Sequence, residues 1–157
     1  MQLNMTDIKY RLCNVSIEQF AMLFEPEGDR IAVDVSIMTK KNYGERALAV
    51  GANVQYIENG NTFLVAEVFC HYEIDETSWN ELSSGCKKDV VLPEELMATF
   101  ADIAVDTARG AICAKTENTP FSKYYLPIME IERKGDGNGY VIHKNPSTSR
   151  PQKSRRG

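Results

Sequence analysis

The sequence predicts an α+β fold in which four strands come first and one long helix follows. Four segments with apolar residues at strand-like spacing precede residue 75, and turn signals separate them. A segment that begins near residue 92 instead repeats its apolar residues at helical spacing. At 157 residues the chain has the size of one domain and can bury a hydrophobic core.

The first two predicted strands flank a turn. Residues 8–24 predict an opening strand, with a bend or a break in it left open, and the sequence EPEGD predicts the turn that follows. Residues 30–39 alternate apolar and polar side chains, so that Ile31, Val33 and Val35 share one face. This alternation is typical of a strand with one buried face.

The third and fourth strands are predicted at residues 46–57 and 62–74. The ENGN sequence between them indicates a hairpin, because Asn and Gly tolerate a positive φ. The fourth strand carries apolar residues on both faces, for example Val68 on one and Phe69 on the other. We therefore expect both sides of this strand to be covered.

A polar connection, with a short helical turn near Trp79, leads to a long helix over residues 92–116. Pro93 suits the first helical turn, and apolar residues recur at helical spacing after it. Gly110 inside this helix costs about 1 kcal/mol relative to alanine. A close approach of the helix to a sheet or a second helix would explain the glycine, and a bend would explain it equally well.

Charge divides the chain into a predicted folded domain, residues 1–131, and a basic tail, residues 132–157. The tail contains seven Lys or Arg and two Asp or Glu, a net charge of +5, which leaves −9 for the domain because the chain carries −4. We expect the tail to be disordered, with residues 139–143 able to add a short strand. The acidic domain makes nucleic acid an unlikely partner, because phosphate binding needs a basic surface.

The sequence also predicts a cytoplasmic protein. The first ten residues lack the apolar core of a secretory signal, and no apolar run has the length of a membrane span. The cysteines lack CxxC spacing, and buried thiols are expected in preference to disulfides. These cysteines are Cys13, Cys70, Cys86 and Cys113.

Residue patterns that carry catalytic chemistry are scarce, and we expect a protein that is not an enzyme and needs no metal or cofactor. His71 follows Cys70, but neighbouring strand residues point to opposite faces and cannot form a dyad. Asp102 and Asp106 lie four apart on the predicted helix, which is more typical of a solvated helix face than of a carboxylate pair.

The connection after the helix is unusually rich in aromatic side chains. Phe121, Tyr124 and Tyr125 lie between Pro120 and Pro127. Prolines fix a loop without using backbone donors, and aromatic side chains provide a large contact area at low entropy cost. Such a loop can form the wall of a binding groove, or its side chains can instead complete the core or an oligomer interface.

The element order and the passage TARGAICAKTENTPFSKYYLPIMEI resemble the SecB-type protein-export chaperones, and most closely their divergent SecB-like branch. The shared features are a T-x-RG step in the helix, a TP turn and an LP step before an apolar strand-like end. The residues that match this motif, and that we expect at an interface or in the motif's own structure, are Thr107, Arg109, Gly110, Thr119, Pro120, Leu126 and Pro127.

The resemblance implies a four-stranded antiparallel sheet with one long helix packed on one face. It also implies a homo-oligomer, a dimer of dimers, that binds unfolded polypeptides in apolar grooves without nucleotide hydrolysis. Export members of the family hand clients to SecA, and some divergent relatives guard an antitoxin. Arg109 is expected either to pair with an acid across an interface or to lie at the surface. The expected client-binding residues are Phe121, Tyr124, Tyr125, Leu126 and Met129.

Two other functions are compatible with the sequence. A curved sheet with one long helix can enclose a ligand, which would make the chain a small-molecule-binding or enzymatic domain with a pocket between sheet and helix. A regulatory module that binds a partner through its basic tail is the third interpretation.

Overall fold

A computed structural model describes residues 8–83, 89–133 and 140–144, and it confirms the predicted α+β fold. Four strands form an antiparallel sheet in the order β1-β4-β3-β2, and the long helix α2 packs against β3 and β4. The elements of the sheet are β1 (Tyr10–Met22), β2 (Ile31–Asn42), β3 (Ala47–Glu58) and β4 (Asn61–Ile74). The helices are α1 (Glu76–Ser83), which includes Trp79 as expected, and α2 (Glu94–Thr116).

β1 is one continuous strand that contains two bulges. Its pairing with β4 shifts by one residue between Leu12 and Asn14 and again between Ile17 and Gln19. Each bulge inserts an extra residue and so reverses the alternation of faces along the strand. This explains why the apolar pattern of residues 8–24 did not distinguish a continuous strand from a broken one.

The predicted hairpin between β3 and β4 is confirmed, with Asn59 at a φ of 49° and Gly60 at 80°. Both faces of β4 are covered, also as predicted. Val68 on the helix side is 0% exposed, and Phe69 on the opposite side is 1% exposed. Phe69 is covered because the Lys40 ammonium lies 4.0 Å from the centre of its ring.

α2 supplies the other half of the core. Its buried residues recur at helical spacing and include Leu96, Phe100, Ala104, Ala108 and Ile112. Gly110 faces away from the sheet, and a Cβ built there would meet no atom within 4 Å. The close approach proposed for Gly110 is therefore not made within the described part of the subunit, and the helix continues through this position without a break.

The chain after α2 forms a 3-10 turn, Pro120–Lys123, and then a hairpin of β5 (Met129–Arg133) and β6 (Tyr140–Lys144). β6 confirms the short strand that the sequence allowed there. β5 runs across the predicted domain boundary at residue 131, while residues 134–139 and 145–157 of the predicted tail lie outside the described residues. β5 lies beside α2, and β6 lies beside β2.

The cysteines depart from the expectation of buried thiols. Cys70 is buried, whereas Cys13 and Cys113 are exposed, because one lies at a bulge of the edge strand β1 and the other on the outer side of α2. Cys86 lies outside the described residues.

No helix in the described ranges is both long and apolar enough to cross a membrane.

Candidate functional site

The turn that follows α2 is held by the side chain of Thr119. Its hydroxyl donates a hydrogen bond to the carbonyl oxygen of Thr116 at 2.7 Å and accepts one from the amide of Phe121 at 3.1 Å. Pro120 begins the 3-10 turn, where its missing amide hydrogen costs no hydrogen bond. The Thr119–Pro120 step of the motif therefore caps the turn that sends the chain back toward the sheet.

Aromatic rings from three parts of the chain meet beneath this turn, and we call them the aromatic cluster: Phe24, Tyr56, Phe63, Phe121 and Tyr124. Phe63 lies at its centre, with ring-centre distances of 5.0 Å to Tyr124 and 6.0 Å to Phe24. The Phe121 ring stacks on Phe63 at 6.4 Å. Burial raises the pKa of Tyr56 above its ordinary range, and the positive charge of Arg109 partly opposes that rise.

The structure corrects the expectation that all five client-binding residues are available to a foreign chain. Phe121 is 8% exposed and Leu126 is 1% exposed, because both are packed into the core of their own subunit. Tyr124 and Met129 are half-buried against that core. Tyr125 is 64% exposed, so its side chain is the one in this set that faces solvent freely.

Ile128 was missed by the sequence reasoning, although it is 54% exposed. The sequence signal for it was its position in the apolar end that follows the LP step of the motif, directly after Pro127. Leu23 and Phe24, at the end of β1, are also exposed, at 60% and 41%. Phe24 belongs to the aromatic cluster, and Leu23 precedes it in the chain. Exposed apolar side chains therefore occur both on the loop after α2 and at this end of the sheet.

Arg109 connects α2 to the same loop. Its Nε donates to the carbonyl oxygen of Leu126 and its Nη2 to that of Pro127, both at 2.8 Å. Its Nη1 donates to Asp106 Oδ1 at 2.6 Å within the helix. The acidic partner of Arg109 and both carbonyl acceptors lie in its own subunit. Within the motif, the arginine of the T-x-RG step therefore contacts the backbone of the LP step.

Thr107, a further motif residue on α2, contacts the sheet. The Thr107 hydroxyl donates to the carbonyl oxygen of Ile103 at 2.7 Å and lies 3.5 Å from Cys70 Sγ.

Asp102 and Asp106 are exposed, as expected for a solvated helix face. Partial burial raises the pKa of Asp102, and the charge of Asp106 adds to the rise.

A second apolar surface runs along β1 and was not predicted as a functional surface. α2 packs mainly against β3 and β4, so the helix-side residues of β1 are only partly covered; Tyr10, for example, meets the ring of Phe100 on α2 edge-on at 4.9 Å. We call this set the β1 strip; its exposed members are 39–49% accessible. They are Tyr10, Leu12, Val15, Ile17 and Met22.

The pocket expected for an enzyme or a small-molecule-binding domain would lie between sheet and helix. Core side chains such as Val54, Phe100 and Ile112 occupy that space, each with an exposure of 0%. A cavity of about 520 Å³ lies instead at one end of the sheet. Charged side chains of both signs line it, and two of them, Arg11 and Glu73, form an ion pair.

Comparison with solved structures finds a similarity of fold. The structure resembles a solved SecB-like chaperone. That protein is Mycobacterium tuberculosis Rv1957, in complex with a ChAD peptide from the Rv1956 HigA1 antitoxin. The TM-score is 0.42 at 14% sequence identity, and the match covers 78% of this chain and 89% of that chain. No family model matches this chain, and no curated protein matches its sequence.

Proposed function

We propose that this chain is an ATP-independent holdase chaperone that binds unfolded polypeptides by burying their apolar side chains. The observation that carries the proposal is the exposure of Tyr125 and Ile128 on a proline-containing loop over a closed core. Contiguous apolar patches on a surface are typical of interaction sites, and these two side chains lie three residues apart on one loop. The motif resemblance of residues 107–127 to the SecB-like chaperones supports the same function.

The chemistry of the loop suits clients of diverse sequence. Burial of apolar surface contributes roughly 25 cal/mol per Å² and has no directional requirement. Tyr125 and Ile128 would supply the main contacts, and the half-buried Tyr124 and Met129 would supply the edge of the site. In this proposal Phe121 and Leu126 support the surface from beneath and do not touch the client.

We propose that the β1 strip serves self-association, within a homo-oligomer that is a dimer of dimers. β1 is an edge strand of the sheet, and edge strands present unpaired backbone groups that favour pairing with another strand. An edge that is also apolar on one side over 13 residues, about 40 Å, offers both backbone and side-chain contacts to a second copy.

The partners follow from the motif resemblance alone. We propose unfolded clients in the cytoplasm, either preproteins or an antitoxin, with SecA as a partner in an export role. The mechanism assigns no catalytic step and requires no cofactor, since binding and release depend on the exposed apolar area.

A test of the proposed function measures the aggregation of a heat-unfolded enzyme by light scattering, without nucleotide. We expect an equimolar amount of the wild-type chain to suppress aggregation. The double variant Tyr125→Ser, Ile128→Ser should suppress it less, because it removes the apolar contact. Val91→Ser is the matched control, since Val91 is 67% exposed but precedes the opposite end of α2. A wild-type chain without any effect on scattering would contradict the proposal.

A further inference from the structure

The loop segment between the two exposed side chains is constrained at each of its residues. Leu126 anchors the segment because its side chain is 1% exposed and belongs to the core. Pro127 has a fixed φ and no amide hydrogen. Tyr125 and Ile128 flank these two residues and point outward, with 64% and 54% exposure.

Arg109 adds the constraint that acts on the backbone itself. The carbonyl oxygens of Leu126 and Pro127 each accept a 2.8 Å hydrogen bond from the one guanidinium group. The two peptide units that contain these carbonyls are thereby fixed relative to α2. A planar guanidinium has donors in a rigid fork, and a lysine ammonium cannot reproduce this two-point contact.

We infer that Arg109 is the positioning residue of the binding loop: it holds Tyr125 and Ile128 in the outward arrangement that a client meets. This inference rests on the proposed holdase function and assigns Arg109 no contact with the client. Without the two hydrogen bonds the loop samples more conformations, and a client must order it on binding. Ordering a loop at the moment of binding lowers affinity even when all of the contact residues remain.

The charge of Arg109 has a separate partner, which provides a control. Asp106 pairs with Nη1, and its side chain is 75% exposed. An ion pair with such an exposed partner contributes little to stability. Asp106→Asn therefore removes the ion pair while both carbonyl contacts of Arg109 remain.

The probe for the test is reduced, carboxymethylated α-lactalbumin, a soluble and permanently unfolded chain, labelled for fluorescence anisotropy. We expect Arg109→Lys to weaken probe binding about tenfold, because the positive charge stays but the fork is lost. We expect Asp106→Asn to change the affinity by less than about twofold. Circular dichroism and thermal unfolding establish that each variant is folded.

A double-mutant comparison separates positioning from a general loss of stability. In the Tyr125→Ser, Ile128→Ser background, Arg109→Lys should change the affinity by less than about twofold, because the side chains it positions are gone. Amide hydrogen exchange should rise in residues 124–129 of Arg109→Lys and stay unchanged in β3 and β4. The inference would be overturned if Arg109→Lys lowered the affinity by the same factor in the wild-type and in the Tyr125→Ser, Ile128→Ser background. Faster amide exchange throughout the sheet would overturn it as well.

The outcomes also separate this inference from the proposed function. If the wild-type chain does not bind the probe, the holdase proposal fails and the role of Arg109 fails with it. A second outcome is that the wild-type chain binds the probe and the double variant Tyr125→Ser, Ile128→Ser binds it more weakly, while Arg109→Lys binds it as well as the wild type does. In that case only the positioning role is wrong. If neither Arg109→Lys nor Arg109→Gln folds, Arg109 is needed for the fold itself, and the positioning role is likewise overturned.

Discussion

The ring of Phe69 occupies the space that a side chain at Gly51 would need. The two residues face each other directly in the pairing of β3 with β4. A Cβ at Gly51 would lie 2.6 Å from Phe69 Cδ1 and 2.6 Å from the carbonyl oxygen of Val68. Glycine at this position therefore lets an aromatic ring lie against the outer face of the sheet, where Lys40 covers it.

The first prediction is that Gly51→Ala destabilises the subunit. The ring of Phe69 can shift, but the carbonyl oxygen of Val68 belongs to the backbone of a central strand and cannot move without disturbing the sheet. Overpacking of this kind typically costs about 1–3 kcal/mol. Urea denaturation followed by circular dichroism measures the loss of unfolding free energy.

Gly44→Ala is a control, because a Cβ there would meet its nearest atom at 3.6 Å. Equal midpoints for wild type and Gly51→Ala would show that the contact is not as close as described.

The second prediction concerns Gly110, which has the opposite environment. A Cβ there meets nothing within 4 Å in the described structure, and the residue lies inside α2. Alanine loses less backbone entropy on folding than glycine, so Gly110→Ala should raise the free energy of unfolding by about 0.5–1 kcal/mol. The same denaturation experiment measures the gain. A lower stability, observed together with weaker self-association, would instead place a second copy of the chain against Gly110.

The strands could be predicted from the sequence because their side-chain alternation is a local property. The hairpin at Asn59 and Gly60 depends on the conformational freedom of those two residues, and it was predicted for that reason. The two bulges of β1 were not predicted, since their positions depend on the register with β4. The same dependence on a distant partner explains why the exposure of the β1 strip was missed: it follows from which strands α2 crosses.

The loop after α2 shows the limit of composition as a guide to a binding site. Phe121 and Tyr125 are both aromatic residues of the same short segment, yet one is buried and the other exposed. The difference arises from Phe63, which receives the ring of Phe121, and from Arg109, which fixes the backbone beyond Tyr125. Both partners lie in other elements, and a sequence pattern confined to the loop carries no information about them.

The third prediction tests the proposed role of the β1 strip. Val15 and Ile17 lie in the middle of β1 on the helix side, with 47% and 45% exposure. The double variant Val15→Asp, Ile17→Asp should dissociate the oligomer, because burying two carboxylates at an apolar interface is strongly unfavourable. Sedimentation velocity measures the oligomeric state.

Val91→Asp serves as the control for that experiment, because Val91 is exposed to 67% and lies outside the strip. It should sediment as the wild-type chain does. A wild-type chain that is monomeric at all concentrations tested would contradict the role proposed for the β1 strip, and it would leave the exposure of Tyr125 and Ile128 as a property of a single subunit.

The fourth prediction concerns the acid sensitivity of α1. Asp75 precedes this helix, and its Oδ1 accepts a 2.9 Å hydrogen bond from the amide of Ser78. Hydrogen bonds from Ser78 lower the pKa of Asp75 below its ordinary value, with a smaller effect from the charges of Lys9 and Arg46. A carboxylate whose pKa is lower in the folded state stabilises that state above its unfolded pKa, and the contribution disappears as the pH falls through the folded value.

The variant Asp75→Asn tests this, because it keeps a capping oxygen but does not titrate. We therefore expect the difference in melting temperature between wild type and Asp75→Asn to shrink from pH 7 to about pH 3. Parallel melting curves with a constant difference across this range would show that the charge of Asp75 does not stabilise α1.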